Sequence, residues 1–253
     1  MTAWQAVQRA LNWSKDIDPA TLDEGLLEAE RAVAIDPDYG MAHAVLAYVC
    51  MCISFFWGGN QRERAWVHLD KALKLSPNDA PTLTWAAETS RRLGDPAKAL
   101  QLAKRALRSS PGAFAANAMA GSALNDLGRH EEALAHLDTE LRVAPDNQAN
   151  HYAHLWRAAA FHGLGRRDDM LAALDAALEF NPQFDLLLVR RAVEYVRDGE
   201  PDQAQACLGR LRASFRALGP GIYLARLPEG LRLGVEQTAT LENLWPTAER
   251  DGV

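Results

Sequence analysis

NDAPTLTWAAETSRRLGDPAKALQLAKRALRSSP, residues 78–111, is followed by a second stretch of 34 residues, 112–145, that repeats its pattern. Self-similarity at a fixed period decides the fold before any local reading, because each copy buries its apolar face only against the next. Counting back from Pro111, small residues fall at Ala106, Ala103 and Ala99, with Gly94 before them. From Pro145 the same offsets give Glu140, Leu137, Ala133 and Gly128. Spacings of three and four mark one face of a helix, and the glycine stands where a preceding helix must stop and turn. Each unit therefore predicts helix, tight turn, helix.

The register extends in both directions. Ala32, Ala29 and Gly25 hold the same offsets from Pro37, and Ala72, Leu69 and Ala65 from Pro77. Ala177, Leu174 and Met170 hold them from Pro182. In a sixth unit Gly199, Ala204 and Leu208 keep the phase, but Arg216 stands where the proline is due; loss of the signal at a terminus is what capping produces. The expected repeats are about 3–37, 38–77, 78–111, 112–145, 146–182 and 183–217, forming an all-α solenoid over 1–217. Residues 218–253, broken by Gly219, Pro220, Gly221, Pro228 and Pro246, are expected to be a short irregular tail lying over the last repeat. Two units are long: the second carries extra residues within MCISFFWGGNQRER, and the fifth at the junction PDNQANH.

Composition narrows the function classes. With 27 Lys and Arg against 33 Asp and Glu, the net charge is −6, which argues against a sequence-independent grip on nucleic acid. Three cysteines, Cys50, Cys52 and Cys207, form no disulfide framework and point to a reducing cytoplasm. The first residues lack a basic stretch followed by an apolar core, so no secretory signal is read. Residues 41–57 carry no formal charge and reach the lower edge of a membrane span, yet fall in phase with the repeat, so a buried repeat helix and no membrane role is expected. No phosphate loop, nucleophile elbow or HExxH motif is present, and no catalysis or cofactor is expected. His151 and His154 share a helix face with His162 further on, but three or four converging ligands are not in evidence, and no metal is assigned.

The recurring small, aromatic and proline positions resemble the tetratricopeptide repeat, with LGDPAKALQLAKRALRSSP, LGRHEEALAHLDTELRVAP and LGRRDDMLAALDAALEFNP its closest copies. The resemblance covers roughly residues 3–215 and implies a right-handed superhelix whose first helices line a concave groove that takes a protein or peptide partner. More narrowly, the long opening loop, AIDPDYGMAHAVLAY with its FFWGG insert, and LWRAAAFHGLGR resemble repeat regions that follow a cyclase or winged-helix domain in bacterial signalling proteins. That likeness implies a C-terminal sensory or regulatory module. The Lys and Asn constellation with which chaperone-binding members clamp a C-terminal carboxylate is not matched.

Projected onto the concave side, the residues free of the template are Tyr48 and Met51; Thr84, Glu88, Arg91 and Arg92; Ser122, Asn125 and Asp126; Tyr152, Leu155 and His162; and Arg197 with Val189 and Val193. Arg91, Arg92 and Arg197 are expected to hold partner carboxylates, and Tyr48 and Tyr152 to supply apolar contact. Phe55, Phe56 and Trp57 are expected either to dock on the first two units or to form a homo-oligomer contact. A small-molecule pocket near Trp57 and Trp85 is a third reading.

Overall fold

The computed structural model describes residues 1–14, 18–221 and 234–246. Among them every element is helical. Six antiparallel pairs follow one another: α1 (Ala3–Ser14) with α2 (Leu22–Ile35), α3 (Gly40–Trp57) with α4 (Gln61–Leu75), and α5 (Ala80–Arg92) with α6 (Pro96–Ser109). Then come α7 (Phe114–Asp126) with α8 (His130–Val143), α9 (Asn150–Gly163) with α10 (Arg167–Phe180), and α11 (Asp185–Arg197) with α12 (Pro201–Leu208). A single turn, α13 (Ala213–Arg216), and α14 (Val235–Leu244) complete the described chain.

Local chemistry places the helix ends. Asp79 and Asp95 each cap a helix by accepting from the backbone N–H three residues on, at 3.0 Å from Thr82 and 2.9 Å from Lys98. Each is followed by a proline in the first turn, where the missing N–H costs nothing. The first helix of the third unit stops at Gly94, whose φ of 95° only glycine adopts without strain. Beyond it, the Asp95 N–H returns to the Ser90 carbonyl at 2.9 Å. The same closing bond recurs from Arg129 to Leu124, Arg166 to Phe161 and Glu200 to Tyr195, so one stop signal is used four times.

The offsets that define the repeat are the core. Ala32, Ala72, Ala106 and Ala177, together with Leu69, Leu137 and Leu174, are fully or almost fully buried. Small residues let helices approach: a Cβ on Gly121 would sit 2.6 Å from Leu137 Cγ, so α7 and α8 touch there. The extra residues of the second unit lengthen α3 to 18 residues. This helix is long and apolar enough to cross a membrane by length and composition, and 83% of it is buried inside the fold. Phe56 turns inward, while Trp57 is 53% exposed. In the fifth unit the insertion forms a turn pinned by Asn150, whose Nδ2 donates to the Ala144 and Pro145 carbonyls at 2.8 and 2.9 Å.

Each second helix packs on the next first helix, and consecutive first helices from α1 to α9 also pack on one another. Among the described residues consecutive second helices make no comparable contact, so the stack curves with the first helices inside. Its two ends meet. Asp18, in the loop after α1, accepts from Arg212 Nη1 at 2.7 Å and from Ser214 Oγ at 2.8 Å. Arg212 in turn pairs with the buried Asp185. The helix α14 packs on α11 and α12, and Trp245 donates to the Arg216 carbonyl at 3.0 Å. Where an irregular tail is expected, residues 235–244 form this helix; the breaker Pro228 falls outside the described residues.

Candidate functional site

The curvature gathers inner-helix side chains of five units around one cavity of about 340 Å³. Leu11 comes from α1, Tyr48 from α3, and Thr84, Trp85, Glu88 and Arg92 from α5. Ala115, Ala118 and Met119 come from α7, Tyr152 and Trp156 from α9, and Ala149 from the residue just before it. Glu140 is the one contribution from a second helix, α8. Trp85, Met119 and Trp156 stand at the same distance before the turn glycines Gly94, Gly128 and Gly165. The repeat therefore stacks them into a stripe along the inner wall. Tyr48 packs on Trp85 with ring centroids 4.8 Å apart, and Tyr152 lies against Phe184 at 5.3 Å.

The polar part of the wall is an ion cluster on α5. Glu88, 5% exposed, accepts from Arg91 Nε at 3.0 Å and Nη2 at 3.2 Å, and from Arg92 Nε. Burial alone would raise the Glu88 carboxyl, but the two guanidiniums outweigh it and hold it down to about 2. Arg91 also donates Nη1 to Asp126 at 3.0 Å and lies 4.5 Å over the Trp156 ring. Arg91 is thus committed within the fold, and Arg92 in part; the arginines expected to await a partner's carboxylates first neutralise a carboxylate of their own. Arg92 differs from Arg91 in one respect: among the described residues its Nη atoms make no hydrogen bond, and it lines the cavity.

The other projected residues divide. Tyr48, Thr84, Glu88, Arg92 and Tyr152 line the cavity. Met51 is buried in the core at 3% exposure and offers no surface, because the stripe on α3 that faces α4 and α5 is wider than in the other units. Ser122 donates to the Met119 carbonyl at 3.0 Å. Asn125 spends its amide on joining α7 to α9, giving Nδ2 to the Trp156 carbonyl at 2.8 Å. Asp126 belongs to Arg91, and Leu155 packs against the core edge. His162 and Arg197 line a separate depression with Arg167, Met170 and Glu194, where Arg197 Nη1 is 3.8 Å from the fully buried Glu194. Trp57 does not line the cavity; Trp85 does. Among the described residues no group of three His, Cys, Asp or Glu side chains is placed to hold a metal ion.

Glu140, Met119 and Trp156 were not picked out by sequence reading. For Glu140 the signal was present: it occupies the offset where the other units carry Ala32, Ala72, Ala106 and Ala177. It is 3% exposed, and its Oε2 has no hydrogen-bond partner. Burial pushes its carboxyl up to about 8, against a smaller opposing effect of the Ala118 backbone amide.

Comparisons with known proteins agree with this architecture. The family described as "Anaphase-promoting complex, cyclosome, subunit 3" matches residues 59–140. No curated protein matches the chain. Among solved structures, the anaphase-promoting complex hetero-tetramer Cut9–Hcn1 aligns over 97% of this chain and 43% of its own, with 13% identity and a TM-score of 0.62. The human IFIT1 dimer with PPP-AAAA aligns over 81% of this chain and 49% of its own, with 16% identity and a TM-score of 0.64. TTC0263, a thermophilic tetratricopeptide-repeat protein of Thermus thermophilus, aligns over 72% of this chain and 91% of its own, with 25% identity and a TM-score of 0.54. The chain spans less than half the length of the first two. The fold is the tetratricopeptide-type α-solenoid.

Proposed function

We propose that this chain is a non-catalytic interaction scaffold that docks a segment of a partner protein or peptide on its concave side. The observation that carries the reading is the convergence of inner-helix side chains from five units, Leu11 to Trp156, on one surface. Repeat folds of this type commonly serve protein–protein interaction, and a contiguous concave surface is where solenoids of this kind bind. Affinity comes from the Trp85, Met119 and Trp156 stripe and from Tyr152, as aromatic and Met side chains dominate interface cores.

The test is affinity purification with the full chain, followed by direct binding of the recovered partner to wild type and to Met119→Arg. A folded Met119→Arg variant, checked by circular dichroism, is expected to lose the partner; unchanged binding would exclude the concave surface. Two further roles rest on exposed aromatics. Trp4, Trp13 and Leu27 are exposed on the first helix pair, which supports the reading as a module attached to a larger cyclase or transcription regulator. Trp57 supports self-association through the α3 extension, and sedimentation of Trp57→Ser beside wild type decides that point. The three buried free thiols suit a reducing, cytoplasmic setting.

A further inference from the structure

The scaffold reading leaves one group without a use. The repeat needs only a small residue where Glu140 stands, and alanine fills that place in four other units. A carboxyl buried there with Oε2 unpartnered costs stability. Glu140 nevertheless lines the cavity, as does Arg92 with its unbonded Nη atoms. Trp85, Trp156 and Tyr152 line the same cavity. The buried charges on α5 comprise one carboxylate and two guanidiniums, and Asp126, 41% exposed, balances them from the outer side of Arg91. Arg92 is therefore the cation of this cluster that lines the cavity. Its volume, about 340 Å³, lies at the small end of the ~300–1,000 Å³ typical of small-molecule sites and is too confined for a folded helix.

We propose that this cavity binds a small aromatic monocarboxylate, its carboxylate on Arg92, its ring against the Trp85, Met119 and Trp156 stripe, and a hydrogen-bond acceptor toward Glu140. The guanidinium fork of Arg92 matches a carboxylate's geometry. Glu140, protonated at neutral pH by its burial, serves as a donor, since a charged carboxylate there would repel the ligand. This site does not depend on the scaffold reading, and a ligand and a docked partner would exclude each other on the Trp85, Met119 and Trp156 stripe that both use.

The experiment measures para-hydroxyphenylacetate, benzoate and indoleacetate against the full chain by calorimetry and by quenching of tryptophan fluorescence. The matched amide and tyramine serve as uncharged and cationic controls. At least one carboxylate is expected to bind saturably and raise Tm, with the amide about tenfold weaker and tyramine not binding. Ala115→Leu narrows the cavity without touching the ion cluster and is expected to abolish binding. Arg92→Met alone strands Glu88, so the ion cluster is tested as Glu88→Gln/Arg92→Met, which should also lose the ligand. Wild-type binding should weaken as pH rises through about 8, and Glu140→Gln should bind with that dependence removed. Failure of all three carboxylates at millimolar concentration, binding retained by Ala115→Leu, or tyramine binding more tightly than the acids would each overturn the proposal. Because no partner is present in these measurements, loss of the scaffold reading leaves their outcome unaffected.

Discussion

At the scale of single residues, the buried Glu140 and the half-buried His68 give the protein opposite responses to pH. Glu140 is raised by burial from 4.5 to about 8. Between those values the folded chain holds a proton that the unfolded chain has released, so stability is full at low pH and falls as pH rises through this window. Glu140→Gln is expected to flatten that slope and to gain about 1–3 kcal/mol at neutral pH, as measured by urea unfolding across pH. His68 works the other way. The His43 Nε2–H donates to the Pro37 carbonyl at 2.9 Å, which leaves the Nδ1 of a neutral His43 as an acceptor. His68 Nδ1–H must then be the donor across their 2.9 Å contact. Burial first, and then His43 and Lys71, lower the His68 imidazole from 6.5 to about 4. The unfolded chain takes up a proton in that range and the folded chain does not, so stability is lost as pH falls from 6.5 toward 4. His68→Gln should remove this acid-side slope and leave the Glu140 slope in place; a single slope surviving in both variants would show that neither group controls it.

At the scale of helices, packing is decided by where small residues let two axes meet. Gly121 faces Leu137 at a distance that leaves no room for a side chain, so Gly121→Val is expected to cost about 1–3 kcal/mol by overpacking α7 against α8. Gly112 would meet nothing within 4 Å, and Gly112→Ala should lie within about 0.5 kcal/mol of wild type; thermal unfolding of the pair separates contact from a general glycine effect. These helices were legible in the sequence because their signals are local: offsets such as Ala99, Ala103 and Ala106 recur before each proline, and Gly94 recurs before each turn. The site was legible only in part. Projection onto the inner helices placed Tyr48, Thr84, Glu88, Arg92 and Tyr152 at the cavity. It overlooked that Glu88 stands three and four residues before Arg91 and Arg92, a spacing at which opposite charges on one helix meet. The substitution of Glu140 for alanine was visible in the repeat but has meaning only once α8 is known to open onto the inner wall.

At the scale of the whole molecule, the contact that no periodicity foretells is the one between its ends. In a solenoid each unit touches only its neighbours, so stability is a chain of local terms and the ends fray independently. Here Asp18 reaches Arg212 and Ser214 across 194 and 196 residues of sequence, a meeting set by the accumulated rotation of all six units. The arrangement couples the first and last units to each other and keeps Leu11 and Tyr152 on the same cavity. Arg212→Met is a poor probe of that coupling, because it also strands the buried Asp185, an effect worth about 3–5 kcal/mol by itself. Asp18→Asn leaves the Arg212 and Asp185 pair intact and weakens only the link between ends. Hydrogen exchange is the appropriate measure, since it resolves opening segment by segment. In Asp18→Asn, amides of α1 and of α12 and α13 are expected to exchange faster together, by about five- to tenfold for a loss near 1 kcal/mol, while α5 to α8 keep their protection. Faster exchange confined to α1 would mean that the ends touch without supporting each other, and the molecule would then behave as an ordinary open stack.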